Sequence, residues 1–156
     1  MTSNGSLQPE RPRILAIDDE PDVLAVLETV LGRSGFEVSS SPNGADGLIK
    51  AHVEQPDLIL LDIMMEEMDG WETLRLLKLD ERSSRIPVII LSARAEPRDK
   101  IRALQDGAAD YIVKPFSIVD SLERIRTVLH DAARPRGSAM GDRAAAAEPE
   151  SEAEAP

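Results

Sequence analysis

The sequence predicts an α/β fold: an open, doubly wound, five-stranded parallel sheet with five helices covering both faces. Two observations carry this expectation. Short β-branched or leucine-rich runs alternate five times with segments of helical period, and three of those runs are continuously apolar rather than alternating. A strand that is apolar on both faces belongs to a parallel sheet covered by helices on each side. Five β–α units with short connections then imply double winding.

The elements follow in order. Residues 1–12, "MTSNGSLQPERP", form a polar leader, expected to be disordered. The first strand is "ILAI" (Ile14–Ile17), and Pro21 to Arg33 makes a helix with Leu24, Leu27 and Leu31 on one stripe. Gly35 is its C-cap signal. "FEVSS" (Phe36–Ser40) is more polar and reads as an edge strand. A helix over Gly44–Glu54, the strand "LILL" (Leu58–Leu61), a helix over Trp71–Asp80 and the strand "PVIILS" (Pro87–Ser92) come next. A helix over Arg98–Asp106 precedes Gly107, and "YIV" (Tyr111–Val113) is the last strand. The final helix, Ser117–His130, places Ile118, Leu122, Ile125 and Leu129 on one face, with Ser117 as N-cap. From Ala132 the chain becomes rich in Ala, Glu and Pro. With almost no large apolar residue it cannot bury enough surface to fold, so 132–156 is expected to be a disordered tail. The folded domain is therefore expected over 13–131, without a second domain.

Composition narrows the function. Hydrophobic residues are 42% of the 156, but aromatics only 3%, so the core must be aliphatic. There is no cysteine, which removes disulfides, zinc–thiolate sites and thiol nucleophiles. The N-terminus lacks the apolar stretch of a signal peptide, and no run approaches the about 18 apolar residues of a membrane span. A cytoplasmic setting is expected. The net charge of −11 argues against direct DNA binding through phosphates.

The chemistry lies at the strand ends. The first strand runs into Asp18, Asp19 and Glu20, the third into Asp62, the fourth ends at Ser92 and the fifth runs into Lys114. In a doubly wound sheet these fall on one edge, around one crevice. Packed acids repel one another unless a cation sits among them. An all-oxygen donor set suits Mg2+, which keeps positions for phosphate oxygens, and Lys114 adds a point charge for a phosphoryl group.

"LAIDDEPDVL", "PDLILLDIMMEEMDGWE", "IPVIILSAR" and "GAADYIVKPF" closely resemble the receiver domain of two-component response regulators, over Arg13 to about Asp131. The resemblance implies a flavodoxin-like sheet of order 2-1-3-4-5. It implies that Asp62 accepts a phosphoryl group from the phosphohistidine of a histidine kinase or histidine phosphotransfer protein. Asp19 would bind magnesium directly and Asp18 through water, with Asp62 and the Met64 backbone carbonyl completing the set. Lys114 and Ser92 would hold phosphoryl oxygens, and Tyr111 would rotate inward after Ser92 to switch a protein-binding surface. Met64 and Arg94 would flank the phosphate and set its lifetime.

The same resemblance makes the first helix the docking site for the phosphodonor protein. Val26, about 160° round that helix from Leu24, is its candidate contact. Asp110, Arg124 and Arg126 resemble charged positions that pair between receivers, but Ala109 replaces an acid there, so a monomer or weak dimer is expected. Where the family usually has Pro, four residues after the phosphoacceptor, this chain has Glu66, followed by Glu67. No output domain is evident, so an unknown downstream protein would read the signal.

Three other readings were open. A metal-dependent phosphatase with an Asp nucleophile would want an acid two residues after it, where Met64 stands. A degenerate receiver acting as a phosphorylation-independent interaction module would have lost an acid, the hydroxyl or the lysine. A nucleotide-binding Rossmann domain needs a Gly-rich turn after the first strand, and none follows. The chain is thus expected to be no enzyme toward a separate substrate, although it would catalyse its own phosphorylation and dephosphorylation.

Overall fold

The structure, a computed structural model, describes residues 11–133. The expected leader up to residue 10 and the expected tail from residue 134 lie outside the described residues. Five parallel strands form one sheet: β1 (Arg13–Ile17), β2 (Glu37–Ser41), β3 (Leu58–Leu61), β4 (Val88–Ser92) and β5 (Asp110–Val113). Their order is β2-β1-β3-β4-β5, which puts the polar β2 on one edge, as expected. The helices are α1 (Pro21–Arg33), α2 (Gly44–Glu54), α3 (Gly70–Leu79), α4 (Pro97–Gln105) and α5 (Ile118–Ala132).

The differences from expectation are small and have local causes. α4 starts at Pro97 because a proline suits the first helical position, where no N–H is needed. α3 starts at Gly70, with the Asp69 carboxylate capping it through the Glu72 N–H at 2.9 Å. α5 runs to Ala132, so the helix extends past the expected boundary at Asp131. Arg11 and Pro12, assigned to the leader, are instead tied to the domain. Arg11 donates to the Gly32 and Phe36 carbonyls, at 2.7 and 2.9 Å, and the Pro12 carbonyl accepts from the Glu37 N–H at 2.9 Å. Gly35 and Gly107, with φ of 101° and 107°, close α1 and α4 in the left-handed conformation that a side chain disfavours.

Alternating residues of the central strands feed two cores. Leu15, Ile17, Ile59, Leu61 and Ile90 pack beneath α2, α3 and α4, where they meet Ala51, Leu74, Leu77 and Ala103. Ile14, Ala16, Leu60, Ile89 and Leu91 face the other way, onto Leu27 and Leu31 of α1 and Ile125 of α5. Full burial of such an aliphatic side chain is worth about 1.5–3 kcal/mol, so both faces hold the sheet firmly. The single tryptophan, Trp71 on α3, packs against the first of these cores, and the Arg102 guanidinium of α4 lies over its ring, 3.8 Å from the centroid.

Parallel pairing fixes where the polar residues emerge. β1 and β3 are in register through Ile17 and Leu61, so Asp18 and Asp62 leave the sheet side by side. The pairing continues one residue past the strands. Asp18 N–H donates to the Ser41 carbonyl (3.1 Å), Asp62 N–H to that of Ile17 (3.0 Å), and Lys114 N–H to that of Ser92 (2.8 Å). The backbone of all three residues is held by the sheet, not by a free loop.

Candidate functional site

The carboxyl edge of the sheet carries a crevice of about 440 Å³ whose walls include Asp19, Glu20, Asp62, Met64, Glu66 and Lys114. Lys114 reaches into it from the end of β5. Its ammonium lies 2.8 Å from Asp18 Oδ2, 3.1 Å from Glu20 Oε1 and 3.5 Å from Asp62 Oδ2. The lysine is thus the cation that the clustered acids require. Burial works against its charge, but Asp18, followed by Asp62 and Glu20, more than offsets that, and its pKa lies above the ordinary lysine value.

Asp62 is buried, at 4% exposure, and its two oxygens are differentiated. Oδ1 accepts from the Met64 N–H at 3.0 Å, while Oδ2 faces Lys114. Burial pushes the carboxyl up to about 6 from the ordinary 3.8, and repulsion by Asp18 adds to it; the Met64 amide and Lys114 pull the other way without cancelling the rise. A carboxylate destabilised by desolvation gains from any further positive charge. That is the environment of an activated nucleophile.

Asp18, Glu20 and Asp62 each present a carboxylate oxygen within 4.8 Å of the others. Oxygen donors alone, at that spacing, fit a hard divalent cation. The sequence had singled out Asp18, Asp19, Asp62 and the Met64 carbonyl. The structure brings Glu20 into the group and leaves Asp19 on the rim, half-buried, with Oδ2 accepting from the Glu66 N–H at 3.3 Å. Glu20 stood in plain view as the third acid after β1, but nothing in its spacing told that Lys114 would turn toward it. Met64 contributes its N–H to Asp62, and its side chain is 53% exposed at the crevice wall.

Ser92 is fully buried, behind Ala93 on the crevice wall. Its Oγ accepts from the Arg94 N–H at 3.2 Å. Tyr111 already lies inward, at 5% exposure, donating its hydroxyl to the Arg94 carbonyl at 2.8 Å. Burial raises its pKa. The Arg94 side chain departs from expectation: its Nε donates to Asp99 Oδ2 at 3.3 Å, which puts the guanidinium on α4 and not over Asp62. A buried carboxylate at the start of α4 competes for it, and Asp99 carried no signal in the sequence.

Val26 is 47% exposed on α1. Arg124 is engaged within its own chain, at 2.9 and 3.0 Å from the two Asp110 oxygens and 2.9 Å from Asp120. Arg126 lies 6.0 Å over the Phe36 ring. Among the described residues, no helix is long and apolar enough to cross a membrane.

Residues 14–126 match the family model described as the response regulator receiver domain. Relatives include the DNA-binding dual master transcriptional regulator RpaA of Synechocystis sp., 40% identical over 118 residues, 76% of this chain and 49% of the relative. The transcriptional regulatory protein PrrA of Mycobacterium tuberculosis is 42% identical over 127 residues, 81% of this chain and 52% of PrrA. The chain thus spans about half the length of these curated relatives. Among solved structures, a CheY-like receiver domain protein from Methanospirillum hungatei superposes with a TM-score of 0.73 at 30% identity, covering 78% of this chain and 96% of that one. The receiver domain of a signal transduction histidine kinase from Syntrophus aciditrophicus gives 0.72 at 33%, covering 80% and 95%. One of these relatives is named as DNA-binding, so the expectation that no DNA-binding output follows the signal loses its support.

Proposed function

This chain belongs to the response regulator receiver domain family, and from that premise we propose that it is a phosphoacceptor of a two-component system, phosphorylated on Asp62 by a histidine kinase or histidine phosphotransfer protein. The observation that carries the reading is Asp62 itself: buried at the sheet edge, one oxygen tied to the Met64 amide and the other facing Lys114. Asp62 Oδ2 attacks the donor's phosphorus in line. A P–O bond forms as the P–N bond to the donor imidazole breaks, and the imidazole leaves with that electron pair and takes up a proton.

Lys114 moves its hydrogen bonds from carboxylate to phosphoryl oxygens, and the Ser92 hydroxyl supplies a further donor. Asp18, Glu20 and Asp62 would hold Mg2+, which when bound supplies Lewis-acid charge that offsets both the clustered carboxylates and the phosphoryl group. The chain turns over no separate substrate; it catalyses its own phosphorylation and, by in-line attack of water, its own dephosphorylation. Val26 on the exposed side of α1 is where the donor protein docks. The phosphorylated protein, a monomer or weak dimer in the cytoplasm, is read by a downstream protein. The interaction-module alternative is not favoured, because every acid, the hydroxyl and the lysine are in place.

With acetyl phosphate and magnesium, intact-mass spectrometry should show one added phosphoryl group, labile to mild base and hydroxylamine. Asp62→Asn should not acquire it. Equal labelling of that variant would refute the assignment.

A further inference from the structure

Arg94 joins three parts of the sheet edge through three different atoms. Its N–H donates to Ser92 Oγ at 3.2 Å, its carbonyl accepts from the Tyr111 hydroxyl at 2.8 Å, and its Nε donates to Asp99 Oδ2 at 3.3 Å. The first two bonds are made by main-chain atoms, so they require only that the segment between β4 and α4 keep one conformation. The question is what holds that segment.

Its neighbours offer little. Ala93 and Ala95 are small and exposed, and Glu96 pairs only locally, with Arg98 at 2.8 Å. Asp99 is different. It lies in the first turn of α4, is 5% exposed, and has Arg94 as its only side-chain hydrogen-bond partner among the described residues. A buried carboxylate without a partner is far more costly than an exposed arginine without one. The pair therefore constrains the segment from the α4 side: Asp99 cannot release the guanidinium without remaining buried and unpaired, and Arg94 cannot move its backbone far without leaving Asp99.

We propose that Asp99 is a positioning residue which, through Arg94, fixes the β4–α4 segment and thereby holds Tyr111 in its buried position. If the segment shifts, the buried Tyr111 hydroxyl loses the Arg94 carbonyl, the acceptor of its proton, and the ring turns outward. The same constraint acts on Ser92. Ser92 Oγ accepts from the Arg94 N–H and also neighbours the Tyr111 hydroxyl. One ion pair on α4 thus sets the starting state of both the hydroxyl and the aromatic. The consequence for signalling rests on the phosphoacceptor reading; the placement of Tyr111 does not.

Tyr111 is the only tyrosine in the chain, so biosynthetic 3-fluorotyrosine gives a single fluorine reporter. The wild-type protein should show one 19F resonance with little shift between H2O and D2O. Asp99→Asn and Arg94→Met should each add a solvent-sensitive resonance, raising the outward population from below detection to about a tenth or more. Arg94→Lys, which restores a cation, should return most of the signal to the buried position, a rescue that general loosening of the fold would not give. If Asp99→Asn fails to fold, the Arg94→Met and Arg94→Lys pair carries the comparison. A single buried resonance in Arg94→Met, or no rescue by Arg94→Lys, would overturn the proposal. A wild-type protein that shows the buried resonance but takes no phosphate on Asp62 would overturn the phosphoacceptor reading and leave this placement standing.

Discussion

Replacing Asp62 by Asn should make the protein more stable, and by an amount that depends on pH. Folding raises the Asp62 carboxyl from 3.8 to about 6, chiefly by burial. At about 1.4 kcal/mol per pH unit, that difference corresponds to about 3 kcal/mol of destabilisation once the group is fully ionised. The direction follows from proton counting. Below pH 3.8 the carboxyl is protonated both folded and unfolded and has no effect. Between 3.8 and about 6 the unfolded chain releases the proton while the folded chain keeps it, so stability falls as pH rises. Above 6 the whole penalty is present. Asparagine keeps the acceptor for the Met64 N–H but cannot ionise. Urea denaturation in chelator should therefore place Asp62→Asn up to about 3 kcal/mol above wild type at pH 7.5, a midpoint gain of about 1 M or more. At pH 4 the two curves should nearly coincide. Magnesium should narrow the pH 7.5 gap by stabilising the wild type more than the variant. A variant no more stable than wild type at pH 7.5, or a gap that persists at pH 4, would refute the account of Asp62 as a desolvated, activated carboxylate.

Four further outcomes are expected. A Cβ at Gly70 would lie 2.3 Å from the Asp62 carbonyl oxygen and from Ile63 Cα, both backbone, so Gly70→Ala should lower the melting temperature by the equivalent of about 1–3 kcal/mol and slow phosphorylation with it. Lys114→Met removes the ammonium from three carboxylates, so the acid limb of the phosphorylation rate in low magnesium should move to higher pH; an unmoved limb would remove Lys114 from the electrostatics of Asp62. Val26→Glu should slow transfer from the cognate kinase while leaving acetyl phosphate labelling unchanged, and equal slowing with both donors would count against docking on α1. Since Arg94 is held by Asp99, the apolar cover over the phosphoryl group falls to Met64. Met64→Asn alone should shorten the phosphorylated lifetime about tenfold, the equivalent of about 1.4 kcal/mol of barrier, read from decay after donor removal.

The sequence made the sheet legible because parallel strands buried on both faces leave long apolar runs, and "ILAI" and "LILL" are such runs. The same logic located Asp18, Asp62, Ser92 and Lys114, each at or just past a strand end, where backbone pairing dictates position. What lay beyond sequence was the direction in which long side chains turn. Lys114, from the end of β5, meets Glu20 as well as Asp18 on the β1–α1 connection, and Arg94 turns to Asp99 because burial makes that carboxylate the more demanding partner. Spacing along the chain records neither event. The Tyr111 ring illustrates the point further: its inward position depends on the carbonyl of a residue seventeen positions earlier.

The stacking of Arg102 on Trp71 has a practical consequence. A guanidinium lying 3.8 Å above an indole centroid alters its emission, and here the two groups belong to different helices, α4 and α3. The chain has one tryptophan, so its indole emission has a single source. Any event that slides α4 along the sheet must uncover or re-cover that ring. The protein therefore carries an intrinsic optical gauge of helix displacement, readable in a stopped-flow instrument without a label.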